Sequence, residues 1–465
     1  MSWKMSRFKD CFGIVMNKRT IFAVATAHGR AGIAVHRVSG PAAGAALRAL
    51  SGAGLPPPRR ATRARLRDPA TGEDIDDGLC LWFPAPASMT GEDVAEFHIH
   101  GGQATSAALA ASLAGIEGLR PAEPGEFTRR AFENGKLDLT AAEAVADLVD
   151  AETAAQRRQA LRQLDGALGR LYDDWREASM RSLAHLEAHF DFPDEDLPPD
   201  LVSGARVVIA PLITAMAAHL DDGASGERIR DGVRIAIVGA PNVGKSSLLN
   251  ALAGRDAAIV AATAGTTRDV IEVHLDLGGY AAVVADTAGL REPGDVVDAV
   301  EREGVRRARL RAEQADIRIV VFDATSGAPS GAALEALDGG HALAVLNKID
   351  LRPVLVPALA TEIAGVPALA ISALTGAGLD RLVEALRARI AERFAVGEAP
   401  VLTRARHRAA LEECVDALRR ADSATLPELM AEDLRFATRA LGRITGRVGV
   451  EDILDLVFAD FCIGK

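Results

Sequence analysis

The chain has 465 residues, with 53 Lys and Arg against 64 Asp and Glu, a formal net charge of −11. That length suits two or three domains with separate cores. The acidic balance argues against a protein that coats nucleic acid non-specifically and leaves only a local basic face open. No apolar run approaches twenty residues, so no membrane span is expected. The four cysteines, Cys11, Cys80, Cys414 and Cys462, form no C-x-x-C pair, which points away from a disulfide framework or zinc site and towards a reducing, cytoplasmic setting.

Residues 1–19 are basic without a cleavage pattern and read as an N-terminal extension, with Met16 an alternative start. From 20 to 140, strand-like runs (Ile21–Ala25, Ile33–Val38, Leu79–Phe83, Val94–Ile99) mix with an Ala-rich helical stretch, Ala104–Leu113, giving a small α/β domain. Glu96, His98 and His100 alternate with apolar residues and so share one face of a strand. That face suits a polar pocket for an organic ligand better than a metal, because no further ligands follow at a recognisable spacing.

Residues 141–228 turn to Ala, Leu, Glu, Arg and Gln, with Leu161, Leu164, Leu168 and Leu171 at helical spacing. The acidic stretch Phe192–Asp196 reads as a solvated turn. The same helical composition returns over 395–465, where nine arginines lie between Arg404 and Arg447. They fit either an RNA-backbone surface or the solvated faces of helices. Two helical flanks around a compact insert suggest one discontinuous helical domain.

The insert, 229–394, carries an ordered set of nucleotide-site parts. The apolar strand Val233–Val238 leads into Gly239–Ser246, which fits G-x-x-x-x-G-K-[ST] opening a helix. Backbone N–H groups and the helix dipole there suit a phosphate; Lys245 reaches the β- and γ-phosphates, Ser246 ligates Mg²⁺, and Asn242, Val243, Gly244 and Ser247 complete the loop. G-T-T-R-D (Gly265–Asp269) supplies the switch hydroxyls Thr266, which closes over Mg²⁺ and the γ-phosphate, and Thr267, a further Mg²⁺ ligand. In D-T-A-G, Asp286 holds Mg²⁺ through water, and the Gly289 amide, after Thr287 and Ala288, meets the γ-phosphate. N-K-I-D (Asn347, Lys348, Asp350) follows a further strand, Ala342–Leu346. Asp350 can accept two hydrogen bonds from guanine N1–H and its 2-amino group, which adenine lacks, while the backbone of Ser372 and Ala373 supports the guanine carbonyl. These parts predict a doubly wound GTP-binding domain. The position after D-T-A-G is Leu290, and an apolar side chain cannot orient the attacking water.

Three phrases, Gly29–Gly40, Phe83–Gly102 and Pro124–Thr140, together with the terminal C-I-G-K, resemble the tRNA-modification GTPase family MnmE. The resemblance runs from Thr20 to Lys465. It implies a multidomain α/β plus α protein: an N-terminal α/β folate-binding domain, a discontinuous helical domain, and an inserted doubly wound P-loop GTPase domain. It further implies a folate site at Arg37, Glu96, Lys136 and Lys465 for 5-formyl- or 5,10-methylene-tetrahydrofolate, and Cys462 as a functional thiol. Glu301 is implied to act on the attacking water. K⁺ takes the place of an arginine finger, held at Asn242, Ala261, Thr263 and Thr266. The family works as a homodimer with an FAD-dependent partner (MnmG/GidA type), modifying C5 of the wobble uridine of certain tRNAs. Two other readings stand beside it: a GTP-switch assembly factor acting on ribosomal RNA, and a dimeric scaffold with a structural folate site.

Overall fold

A computed structural model describes residues 19–27, 29–191, 201–255, 272–286, 313–326, 331–337, 341–352, 361–394, 400–449, 451–459 and 461–464, with Leu310 and Pro329. The chain forms two compact units, residues 1–146 with 446–465, and residues 147–445.

The first unit is built on a six-stranded sheet in the order β3-β4-β5-β2-β1-β6. Its strands are β1 (Thr20–Val24), β2 (Ala31–Ser39), β3 (Thr62–Arg67), β4 (Asp74–Phe83), β5 (Val94–Gly101) and β6 (Leu119–Pro121). The helices α1 (Ala43–Ser51) and α2 (Gln103–Ala114) cover one face, burying Leu47, Leu50, Leu109 and Leu113 against Val38, Leu66 and Phe97. Strand alternation then sends Arg37, Leu81, Glu96 and His98 to the other face. Strand β3 was not expected: its T-R-A-R-L-R alternates, yet only Leu66 is fully buried and its arginines disguise it.

Helix α3 (Glu126–Glu133) starts at Gly125, whose φ is 66°. A Cβ there would lie 2.7 Å from the Phe458 carbonyl, so only glycine lets the C-terminal segment pass. That segment lies in this unit, not with the preceding helices: α13 (Glu451–Ala459) places Leu454 and Phe458, with Phe461, against Leu139 and Ala142 of α4 (Leu139–Asp150). The expected range 395–465 is therefore divided between the two units, because Phe458 and Phe461 bury their rings here.

The second unit holds α5 (Ala154–Leu164), α6 (Ala167–Asp191) and α7 (Leu201–Asp231), then the insert, then α11 (Ala405–Ser423) and α12 (Pro427–Thr445). The expected continuous leucine stripe is broken by Gly166 at φ 79°, between α5 and α6, and Leu161 is exposed. Helix α7 from Ser203 to Asp231 is long and apolar enough, by length and composition, to cross a membrane, contrary to the expectation of no such span. Its Ala205, Ile209 and Met216 are nevertheless buried in a core shared with α6, α11 and α12. The acidic stretch Phe192–Asp196 lies outside the described residues.

The insert is a seven-stranded sheet in the order β12-β13-β11-β10-β7-β9-β8. It comprises β7 (Val233–Gly239), α8 (Lys245–Ala253), β8 (Glu272–Asp276), β9 (Ala281–Asp286), β10 (Ile317–Asp323), α9 (Gly331–Glu335), β11 (Ala342–Asn347), β12 (Thr361–Ile363), β13 (Val366–Ala370) and α10 (Leu379–Arg393). Strands β9, β7, β10, β11 and β13 are parallel, and β8 and β12 close the edges antiparallel. The parallel strands read as apolar runs because both faces are covered. After β7 the chain builds β8 and β9 on one side of it and then crosses to β10 on the other, so the strand order reverses at β7 and a crevice opens at its carboxyl end, where ligands bind in such sheets.

Candidate functional site

The carboxyl ends of β7, β9, β10, β11 and β13 carry the described parts of the nucleotide site. The loop after β7 depends on two glycines. A Cβ at Gly239 (φ 154°) would lie 2.4 Å from the Val321 carbonyl, and one at Gly244 (φ 98°) 2.3 Å from Asn347 Nδ2. Lys245, 7 % exposed, donates from Nζ to the carbonyls of Gly239 (3.1 Å) and Ala240 (2.9 Å), which curls the loop around its own ammonium at the start of α8. Ser246 and Ser247 are exposed on the first turn of α8, where a phosphate would meet the positive end of the helix dipole.

Asn347 locks the base-side parts to this loop. Buried to 2 % exposure, it donates from Nδ2 to the Val243 carbonyl (2.9 Å) and accepts at Oδ1 from the Ala373 backbone N–H (2.9 Å). Ser372 is buried and accepts from the Thr375 N–H (3.1 Å), fixing the turn that presents Ala373. Asp350 sits one residue into a short 3₁₀ turn (Ile349–Leu351), half-buried. Lys348 donates from Nζ to the Asn242 carbonyl (2.7 Å) and to Asp323 Oδ2 (2.6 Å). The Asn242 carbonyl is thus engaged within the protein, so a cation role for Asn242 falls to its side-chain amide. Asp323 was missed from the sequence, although it ends an apolar strand, I-R-I-V-V-F-D, at the same edge as Gly239 and Asn347.

Of the other expected nucleotide and cation residues, Ala261, Thr263, Thr266, Thr267, Thr287, Ala288, Gly289, Leu290 and Glu301 lie outside the described residues. Asp286 is described only as the last residue of β9, in register with Ile237.

In the first unit, Arg37 and Glu96 face each other across β2 and β5 and pair directly. Arg37 Nε and Nη2 each lie 2.9 Å from Glu96 Oε1, and the guanidinium also stands 5.9 Å from the centre of the Phe127 ring. Arg37 Nη1 meets Met89 Sδ at 3.3 Å, and His98 Nε2 lies 3.3 Å from Glu96 Oε2. The loop that supplies Met89 also meets Lys136, whose Cγ would lie 3.5 Å from a Cβ on Gly91. Arg37 fills both lone pairs of Glu96 Oε1, so the capacity left for an outside donor lies on Oε2, beside His98. His100 turns instead to Asp76, 2.9 Å from Nδ1 to Oδ1, and no group of three metal-ligating side chains occurs among the described residues.

Cys462 is exposed; its carbonyl accepts from the Gly125 N–H (3.5 Å), and Ile463 bridges to Pro124. Burial pushes the thiols of Cys80 and Cys414 up to about 12, which makes Cys462 the accessible thiol among the described cysteines. Lys465 lies outside the described residues. Among the nine C-terminal arginines, Arg404, Arg406, Arg408, Arg419, Arg420, Arg435 and Arg443 make bonds within the unit. The segment is therefore mostly internal bracing and less an open basic face.

A crevice at the switch point of a doubly wound sheet, a phosphate loop with its lysine, and an N-K-x-D turn tied to that loop define a P-loop GTPase domain within a larger chain. Residues 139–462 match the model of the MnmE helical domain, and residues 20–136 that of the GTP-binding protein TrmE N-terminus. The tRNA modification GTPase MnmE of Paramagnetospirillum magneticum is 61 % identical over 96 % of this chain and 99 % of its own length. That of Rhodospirillum rubrum is 59 % identical over 97 % and 100 %. The G domain of the Thermotoga maritima FeoB iron transporter aligns at 30 % identity over 35 % of this chain and 98 % of that one, with a TM-score of 0.25. The chain belongs to the MnmE family of tRNA modification GTPases, and it is a GTP hydrolase.

Proposed function

We propose that this GTPase, as a homodimer in the cytoplasm, works with an FAD-dependent partner to place an aminomethyl or carboxymethylaminomethyl group on C5 of the wobble uridine of certain tRNAs. The carbon comes from a tetrahydrofolate held in the first unit. The observation that carries this reading is that likeness to the tRNA modification GTPases extends over 96–97 % of the chain, beyond the GTPase insert that many switch proteins share.

Each unit has its own task. In the insert, the loop amides and Lys245 bind the phosphates and Asp350 reads guanine. Ser246 and Asp286 would hold Mg²⁺, which neutralises charge on the transferring phosphate. Leu290 cannot orient water, so Glu301 takes that part, and a K⁺ near the Asn242 side chain supplies the charge that an arginine finger would bring. In the first unit, Glu96 would offer a pterin its free Oε2 lone pair while Arg37 holds the carboxylate; Lys136 and Lys465 would pair with folate's carboxylate or carbonyl groups. Cys462 is accessible for a covalent role.

Wobble-uridine nucleoside analysis of tRNA from cells lacking this protein tests the proposal: the modified nucleoside should disappear, and its persistence would overturn the reading. GTP turnover should fall when K⁺ is replaced by Na⁺, and Asn242→Ala should remove the difference. Equal rates of the unaltered protein in both salts would refute the cation part alone.

A further inference from the structure

The described backbone has four non-glycine residues with positive φ: Arg59, Asn242, Lys348 and Ala364. Two of them, Asn242 at 64° and Lys348 at 66°, lie in the nucleotide site and are joined to each other, since Lys348 Nζ donates to the Asn242 carbonyl at 2.7 Å. Left-handed backbone is unfavourable for residues with a Cβ and persists where surrounding groups over-determine it. Asp323 holds the Lys348 side chain that joins these two residues. Its side chain is 10 % exposed, and its Oδ2 accepts from Lys348 Nζ at 2.6 Å. Its Oδ1 accepts from the Thr325 N–H (2.8 Å) and hydroxyl (2.6 Å), which holds the carboxylate in one rotamer.

Topology explains the placement. Strand β10 lies between β7, which ends in the phosphate loop, and β11, which ends in the guanine-reading turn. Val321 is in register with Gly239, and Asp323 with Asn347. The last residue of β10 is thus the point from which one side chain can brace both neighbours. Burial by itself raises the carboxyl pKa, but the hydrogen bonds from Lys348 and Thr325 outweigh it and hold the group below the usual carboxylate range.

We propose that Asp323 is a positioning residue for guanine-nucleotide binding: its carboxylate fixes Lys348 and, through it, the Asn242 carbonyl, so that the phosphate loop and the base-reading turn are held in register before nucleotide arrives. Asp323 touches neither phosphate nor base in this scheme. Asp323→Asn keeps the shape, but it removes the charge and can present an NH₂ group to Lys348.

The test uses the full-length chain and a fluorescent GDP analogue. Asp323→Asn should weaken binding about tenfold, about 1.4 kcal/mol, while kcat at saturating GTP stays within about twofold. Lys348→Met should reproduce the loss, and adding Asp323→Asn to it should weaken binding by no more than about twofold. Thr325→Ala, which keeps the residue-325 N–H bond to Oδ1 and the carboxylate–lysine pair, should weaken binding by no more than about twofold. The proposal is overturned if Asp323→Asn binds within twofold, if the two losses multiply in the double variant, or if Thr325→Ala mimics Asp323→Asn. Should Asp323→Asn fail to fold, Lys348→Met decides alone: normal GDP affinity in that variant also overturns it.

Discussion

Replacing Gly244 by Ala should separate the two halves of the nucleotide site. At φ 98° an L-residue pays roughly 1–2 kcal/mol for left-handed backbone. The new methyl would also lie 2.3 Å from Asn347 Nδ2, closer than any real Cβ contact, so Asn347 must move and give up its bond to the Val243 carbonyl. Losing that bond in a buried setting adds about 1–2 kcal/mol. The free protein can relieve this combined strain of about 2–4 kcal/mol by letting the loop leave the cradle geometry. Nucleotide must then restore it, and the apparent Kd rises by the inverse of the competent fraction, roughly 30- to 1000-fold. Titration of the full chain with a fluorescent GDP analogue measures this, with Gly254→Ala as control, because Gly254 at φ −80° closes the same helix with no backbone strain. A Gly244→Ala protein whose Kd stays within about threefold would refute the reasoning, since no strain or displaced amide could then exist in the bound state.

Two further outcomes follow from buried charge. His36 is fully buried on β2, with Nε2 2.8 Å from Ser106 Oγ, and burial lowers its pKa to about 4. The folded value lies below the unfolded one, so the stabilisation is complete above about 6.5 and is lost as pH falls towards 4, some 3 kcal/mol in all. His36→Leu should flatten the urea midpoint over that window, and an unchanged slope would exclude His36 as the cause. Asp147 accepts from Arg230 Nε (3.0 Å) and Arg404 Nη2 (2.7 Å). Asp147→Ala should destabilise the second unit by about 2–3 kcal/mol, below the limit for fully buried pairs because Arg230 retains solvent contact. A urea midpoint within error of the unaltered protein would show that water replaces the carboxylate.

How much was legible in the sequence depended on whether a residue's task is local. Gly239–Ser246 and Asn347–Asp350 each gather their residue types within a few positions, so their spacing alone announced a phosphate loop and a guanine reader, although Asn347 and Lys348 bond to the loop more than a hundred positions away. Glu96 was legible from strand alternation as part of a polar face, but Arg37 and its pairing with Glu96 only through resemblance, because the two side chains lie 59 positions apart and meet by strand register. Asp323 went unseen for a related reason: an acidic residue after an apolar strand is ordinary, and its use appears only once β10 is known to lie between β7 and β11. Strand β3 hid behind its arginines, and the break at Gly166 hid inside a leucine pattern that continued through it.

The paired ends of the insert show why it can sit inside a helical framework. Arg230 closes α7 just before β7, and Arg404 stands at the N-terminus of α11, just after the insert; both bond the one carboxylate of Asp147. Nearby, a Cβ on Gly226 would lie 2.1 Å from the Leu402 carbonyl, so the incoming helix and the outgoing chain touch at backbone distance. Gln159 Nε2 caps the Gly226 carbonyl at 2.9 Å, and Gln156 Nε2 the Arg230 carbonyl at 3.0 Å, both from α5. The same helix reaches the insert itself, where the Ala155 N–H donates to the Gly279 carbonyl in the β8–β9 turn at 2.9 Å. Among the described residues, the insert is held at its two chain crossings, at Asp316 before β10, which accepts from Arg228 Nε at 2.8 Å, and at this hairpin, which leads into β9 and Asp286. Any nucleotide-dependent shift of β8 and β9 would act on α5 directly, since the backbone hydrogen bond at Gly279 allows little slack between them.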